Sequence, residues 1–319
     1  MNGNKEKYRL LCEQRQSEVP LFLQYWWMEA VCRGKQWDVA MAYDGEQLLG
    51  VMPYLYGRKV GMTYILQPQL TQYTGPLYFY PEGLSASKRL DFEKETAKLL
   101  LQQIESLKLA FFLQHFSPQV TNWLPFYWDG YKQTTRYTYR IEDISDPEKV
   151  FEGFDAEKRQ RKIRRYEQST RVRFDMSPND FAEIHNKYWS AKGKKDVLNV
   201  RFISDVCSVA VKRGNGVIAS LYDEDDRMLA ARFVAYDTNC AYSLMSAQDL
   251  QLHKNGHSET LFWALIKYLS DKTKAFDFEG SMDEGLEYVY RSFGTTQTPY
   301  FEISKCNNPL FNLLLKLKK

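Results

Sequence analysis

Closely spaced cysteine pairs are missing from this chain, and with them the common zinc and redox motifs. Cys12, Cys32, Cys207, Cys240 and Cys306 are scattered, the pattern expected of reduced thiols in a cytosolic protein. The four histidines, His115, His185, His253 and His257, show neither metal-ligand spacing nor a serine and aspartate partner pattern. Metal sites and triad hydrolysis therefore have no support. No apolar run reaches the ~18 residues of a membrane span, and the first residues lack an apolar signal core. A strong charge of one sign is absent too. The net charge of +3 gives no whole-protein attraction to DNA or to membrane.

What is present is a globular composition, 44% hydrophobic and 26% charged over 319 residues, enough for two domains with cores of their own. The chain also contains one pattern written twice. Phe112–Ser117 is followed by Gly130, Gln133 and Tyr137. Phe276–Ser281 is followed by Gly294, Gln297 and Phe301, each 164 positions after its counterpart. Asp44–Gly50 and Asp226–Ala230 sit alike between apolar runs. Such a repeat outranks local signals in assigning a fold, and a seam between two similar halves is a preferred place for a cleft.

Periodicity in the first half predicts a helix over Val19–Cys32, strands over Trp37–Tyr43, Leu48–Tyr56 and Thr63–Leu66, and a polar loop from Gln67 to Pro76. A long helix over Ser85–Leu107 and strands over Leu109–Phe112 and Gln133–Ile141 complete it. The second half predicts helices over Ala156–Ser169, Pro178–Lys192 and Arg201–Arg213, then strands Gly216–Tyr222, Met228–Tyr236 and Cys240–Ala247. Helix His257–Ser270 is apolar on nearly every side and must be covered by protein. Strand Ala275–Phe278, helix Glu284–Ser292 and strand Thr298–Ile303 close the chain. The order is α+β with mixed, mainly antiparallel sheets. The acidic, proline-containing stretch Glu142–Asp155 marks a boundary, giving domains 1–145 and 146–319.

These residues resemble the FemAB-type branch of the GNAT acyltransferase superfamily. The likeness is carried by the tandem halves, a basic helix opening the second half, and Asp277-Phe278-Glu279-Gly280-Ser281 followed by Arg291 and Phe293-Gly294. It implies two tandem GNAT-like domains, the second holding the donor, and transfer of an acyl or aminoacyl group onto an amine. Fold alone does not choose the donor.

Several residues are candidates. The turn His253-Lys254-Asn255-Gly256-His257-Ser258 matches the family's pyrophosphate loop, whose amides and helix N-terminus hold acyl-CoA. His253 replaces the family's Gln or Arg, and Glu259 brings a carboxylate that repels phosphate; an ordinary capped glycine turn is the other reading. Alternation along a strand would point Asp277, Glu279 and Ser281 one way and Phe276 and Phe278 the other. A carboxylate there can take the proton of an incoming amine, with Glu279 the better base and Asp277 open to a structural role. The resemblance places Arg291 where a family lysine faces the reacting carbonyl, and an exposed helix-end arginine is the alternative. The resemblance implies that Tyr242, with Ser243 and Ser246, protonates the leaving thiolate or orients the acyl group; packing within the strand is the other reading. Lys35, after the aromatic helix with Gln24, Trp26 and Trp27, is matched to acceptor binding.

Six of the eight residues from Lys158 to Arg165 are basic. Arg161, Arg164 and Arg165 would present a broad field to phosphates on a tRNA end, a nucleotide-linked precursor or lipid, unless Glu157 and Glu167 neutralise it. The tail Pro309–Lys319 reads either as an amphipathic segment on a membrane surface or as a packed terminal helix. Three functions follow: an N-acyltransferase using acyl-CoA on an amine held between domains; an aminoacyl-tRNA-dependent enzyme acting on a peptidoglycan precursor or lipid amine, in cell-wall biogenesis; or a non-catalytic binding module of the same fold.

Overall fold

A computed structural model describes residues 3–194, 198–280 and 282–311. Ser281 and positions 312–319 of the tail lie outside the described residues. In chain order the elements are α1 (Gly3–Gln14), α2 (Tyr25–Val31), β1 (Gln36–Asp44), β2 (Gln47–Lys59), β3 (Met62–Leu66), β4 (Leu77–Tyr78), α3 (Ala86–Ser106), β5 (Leu109–Phe116), α4 (Leu124–Trp128) and β6 (Lys132–Ile141). There follow α5 (Pro147–Glu152), α6 (Arg161–Glu167), β7 (Arg171–Arg173), α7 (Pro178–Ala191), α8 (Val200–Lys212), β8 (Gly216–Tyr222), β9 (Met228–Tyr236) and β10 (Cys240–Gln248). The last are α9 (His257–Leu269), β11 (Ala275–Asp277), α10 (Glu284–Arg291) and β12 (Thr296–Cys306). No helix among them is long and apolar enough to cross a membrane.

Two compact units result. Unit 1 is Met1–Arg136 with Pro299–Lys319, and unit 2 is Tyr137–Thr298. In unit 1, β1 pairs antiparallel with β2, β2 with β3 antiparallel, β3 with β5 parallel, and β5 with β12 antiparallel. In unit 2, β8 pairs antiparallel with β9, β9 with β10 antiparallel, β10 with β11 parallel, and β11 with β6 antiparallel. The strands of the two units share one pairing order, mixed and mainly antiparallel in each; β7 adds an edge strand in unit 2. The repeat also survives in backbone detail. Gly130 (φ 82°) and Gly294 (φ 67°) both turn left-handed just before the last strand of their halves. A side chain at Gly294 would meet the Gly153 carbonyl at 2.5 Å, so the position takes glycine for both reasons.

A single cut at 145 does not separate these units. Residues Ile141 and Arg140 of β6 pair with β11 in unit 2, whereas Phe301–Cys306 pair with β5 in unit 1. The stretch 142–155 is no linker either. Asp146 caps α5, and Ile144, Phe151 and Phe154 are buried in the core of unit 2; the acidic residues there serve as caps and turns around apolar anchors.

Helix α3 covers the sheet of unit 1 with Ala97, Leu100, Leu101 and Ile104 against Met52, Ile65 and Phe112. Its counterpart α9 buries Leu261, Phe262, Trp263, Leu265, Ile266 and Leu269 against Phe276 and Phe278. Burying each such side chain contributes about 1.5–3 kcal/mol, which explains an apolar pattern broader than one stripe.

Candidate active site

The parallel pair β10–β11 is short. Cys240, Ala241 and Tyr242 pair with Ala275, Phe276 and Asp277, and the pairing ends there. Beyond Tyr242, β10 continues to Gln248 while pairing with β9 alone, and it bulges between Ser243 and Met245. A bulge bends its strand and ends pairing on one side, so a gap opens between the two strands. Trp189 of α7 reaches its edge and donates Nε1–H to the Ser246 carbonyl at 3.1 Å.

Glu279 stands at this gap. Its φ of 62° is unusual for a residue with a side chain, and such strain persists only where surroundings enforce it. Strand β11 has ended by then, so the expected alternation with Asp277 breaks. Glu279 instead faces Arg232 and Lys194. Burial first, then the Asp277 charge, push its carboxyl up from 4.5 to about 8, while Arg232 and Lys194 pull the other way. A carboxyl poised near neutrality is suited to take a proton.

Arg232 was not foreseen, though a lone arginine inside Met228–Tyr236 was a visible signal of a buried charge. It is 8% exposed, lies 3.8 Å over the Phe262 ring and donates to Ser243 Oγ at 2.6 Å. Burial lowers its pKa to about 10, against the opposing charges of Tyr290, Glu259 and Glu279. Tyr290, from α10, packs on Phe278 with ring centroids 5.4 Å apart.

Asp277 is fully buried and braced. Thr138 Oγ1 donates to it at 2.5 Å, the Glu279 amide donates at 2.8 Å, and Arg140 Nε lies 3.9 Å away. Tyr242 shares this neighbourhood with Cys240, Asp277 and Arg140, and burial holds its hydroxyl well above its usual pKa. The structure therefore joins Asp277 and Tyr242 in a buried polar cluster, and sets Glu279 with Arg232.

The turn into α9 is occupied by its own chain. Gly256 donates its amide to Glu259 Oε2 at 3.0 Å, and the His257 amide donates to the Lys254 carbonyl at 3.1 Å. Glu259 is buried and paired with Arg159 at 3.1 Å. From α6, Tyr166 stacks edge-on against His257 at 4.5 Å, and Lys162 donates to Asn255 at 2.9 Å. Gly256 has φ 120°, and a Cβ there would collide with the Tyr166 ring. His253 and Ser258 bond to each other at 3.2 Å, and Gln248 donates to Ser258 at 2.8 Å. Two amides of the turn, those of Gly256 and His257, are thus already engaged by the chain itself.

The basic segment divides. Arg159 is buried; Lys158, Arg161, Arg164 and Arg165 are exposed. Arg161, Arg164 and Arg165 share one helical face by spacing, a stripe instead of an even field. None of the three forms an ion pair among the described residues under a 4.0 Å criterion. Glu167 does not neutralise them, because it pairs with Lys267 at 2.7 Å. Arg291 lies on the exposed side of α10, 3.3 Å from Glu287 and stacked over Tyr288, and is not among the groups shifting Glu279. Lys35 belongs to unit 1, where it donates to Gln69 at 3.3 Å.

Residues 156–288 match the family described as "Acetyltransferase (GNAT) domain". The match covers this segment alone, less than half of the chain. The segment contains the basic stripe, the α9 turn, Arg232 and Glu279. Over the whole chain the fold is that of tandem GNAT proteins. FemX superposes with a TM-score of 0.69 at 11% identity, covering 94% of this chain and 96% of that one. The C-terminal domain of a putative lysylphosphatidylglycerol synthetase from Agrobacterium fabrum gives 0.59 at 10% identity over 98% and 96%. A tandem GNAT protein from the clavulanic acid biosynthesis pathway gives 0.56 at 9% over 96% and 95%. No curated protein matches in sequence.

Proposed function

We propose that the chain transfers an acyl group onto an amine, with Glu279 as the base that takes the amine proton. The observation carrying this reading is the Glu279 carboxyl itself: half-buried, held at φ 62° beside an opened strand pair, and raised to about 8. An amine must lose a proton as it adds to a carbonyl, and a positioned base contributes about 10²–10⁴-fold to such a step. The attacking nitrogen belongs to the acceptor, so no protein nucleophile is needed. The rest of the acceleration comes from alignment and from polarising the carbonyl.

For the donor, the amides of Gly256 and His257, already engaged by the chain itself, weigh against a CoA pyrophosphate seated on the α9 turn. The exposed stripe of Arg161, Arg164 and Arg165 favours a donor carried on a polyanion, of which aminoacyl-tRNA is the chemical type. The name of one solved relative, a putative lysylphosphatidylglycerol synthetase, agrees with an aminoacyl group as the one transferred, although its lipid product joins lysine to a hydroxyl and not to an amine.

The test supplies purified protein with charged tRNA or with acetyl-CoA, offers amine acceptors, and seeks the amide product by mass spectrometry. Product from charged tRNA, with binding that weakens steeply in salt, supports the reading. Replacing Arg161, Arg164 and Arg165 together by glutamine should lower the salt slope by roughly 2–3. Amide formation from acetyl-CoA alone would overturn the donor assignment and leave the base intact.

A further inference from the structure

Arg232 carries a charge that the protein does not fully answer. Its side chain is more than nine-tenths buried, and among the described residues no carboxylate lies within the 4.0 Å ion-pair distance. One terminal nitrogen donates to Ser243, Phe262 covers one face of the guanidinium, and Nε has no hydrogen-bond partner among the described residues. Of the carboxylates that face it, Glu259 is paired with Arg159 and accepts the Gly256 amide, while Glu279 stays beyond ion-pair distance and burial favours its uncharged form.

A buried cation without a close anion is costly to the folded state, and such costs gather where a ligand supplies the missing charge. We propose that Arg232 receives a carboxylate carried by the substrate, so that one of the two substrates is an amino acid or a derivative retaining its carboxylate. The ligand class follows from shape and charge. The guanidinium edge with the unpartnered Nε matches a planar, two-oxygen acceptor. With Glu259 answered by Arg159, a single guanidinium charge is left to balance, which a singly charged carboxylate does and a doubly charged phosphate overshoots.

This inference rests on reading the β10–β11 gap as the substrate site, yet it can be tested without turnover. Thermal unfolding is followed at pH 7 with sodium acetate, with N-acetylglycine, and with sodium chloride at equal ionic strength. The wild type should gain Tm with both carboxylates and not with chloride. Arg232→Met should show no carboxylate shift, and without ligand should melt at or above the wild type, by about 2 °C if the unanswered charge is relieved. Arg232→Lys keeps a charge without the fork and should lose at least half of the shift, which decides the matter if the methionine variant fails to fold. The proposal is overturned if the wild type shows no carboxylate-specific shift, if Arg232→Met melts lower while keeping the shift, or if Arg232→Lys keeps it in full. Arg232-dependent binding by a protein that transfers nothing would overturn the transferase reading alone.

Discussion

At the end of their parallel strand pairs the two units differ most. In unit 1 the chain after β3 folds back and fills the space. Gln67 accepts hydrogen bonds from the Thr74 hydroxyl at 2.7 Å and the His115 amide at 2.9 Å, the Thr74 amide donates to the His115 carbonyl at 2.6 Å, and Thr74 bridges Phe116. In unit 2 the corresponding stretch of β10 runs on past Tyr242 without a partner on that side among the described residues. His115, the position 164 before Glu279, is tied to Glu302 at 3.3 Å, and Arg136 binds the same carboxylate at 3.0 Å. Hydrogen bonding from His115 lowers the Glu302 pKa, whereas burial raises that of Glu279. The same strand order thus yields a hydrogen-bonded polar network in one copy and an acid with a raised pKa in the other. Satisfied networks rigidify, while exposed strain and shifted pKa values gather where chemistry is done.

The sharpest way to break this contrast is to remove the two related side chains separately. Glu279→Gln should lower transfer by about 100-fold or more, while His115→Gln should alter it by less than roughly 5-fold and act on stability. Comparable losses of activity in both would show that the units share the chemistry. Next in size is the plug of unit 1. Gly75 has φ 87°, and a side chain there would run into the Phe116 ring. Gly75→Ala should cost about 2–4 kcal/mol in urea unfolding; a neutral effect would mean that the loop is not held as described.

A smaller effect sharpens the electrostatics. A carboxyl raised in the folded state gives stability that is whole below about 4.5 and is lost as pH climbs through about 8. Glu279→Gln should therefore match the wild type near pH 4.5 and exceed it at pH 9, on the order of 2 kcal/mol. Smallest is Arg291→Ala: an exposed i,i+4 pair with Glu287 is worth about 0.3–0.5 kcal/mol, and transfer should stay within roughly 3-fold.

Much of this was legible before any coordinates. The repeat announced two units of one strand order, because Phe112 and Phe276 are core residues and Gly130 and Gly294 are turns that tolerate little else. The strand pairs Gly216–Tyr222 and Met228–Tyr236 were readable to the residue from their apolar runs. Three things were hidden. Helix α1 has no strong apolar stripe and is anchored by buried Tyr8 and Cys12, contacts that a pattern search does not weigh. The stretch 142–155 read as a boundary because its caps are acidic, and its three apolar anchors, Ile144, Phe151 and Phe154, fit no regular period. At the site, alternation implied that Asp277 and Glu279 share one face, and the end of β11 with the left-handed turn at Glu279 breaks that pattern. Family likeness drew attention to Arg291, whereas the arginine beside the acid is Arg232, reached across the sheet from β9.

The pH dependence of transfer, measured under saturating donor and acceptor for the wild type and for Glu279→Gln, bears most directly on the claim that this acid serves the open copy. The account predicts a wild-type rate that rises through a single ionisation near 8, and a variant that is slow and lacks that step. A wild-type rate flat from pH 6 to 9, or the same rise retained in Glu279→Gln, would contradict it.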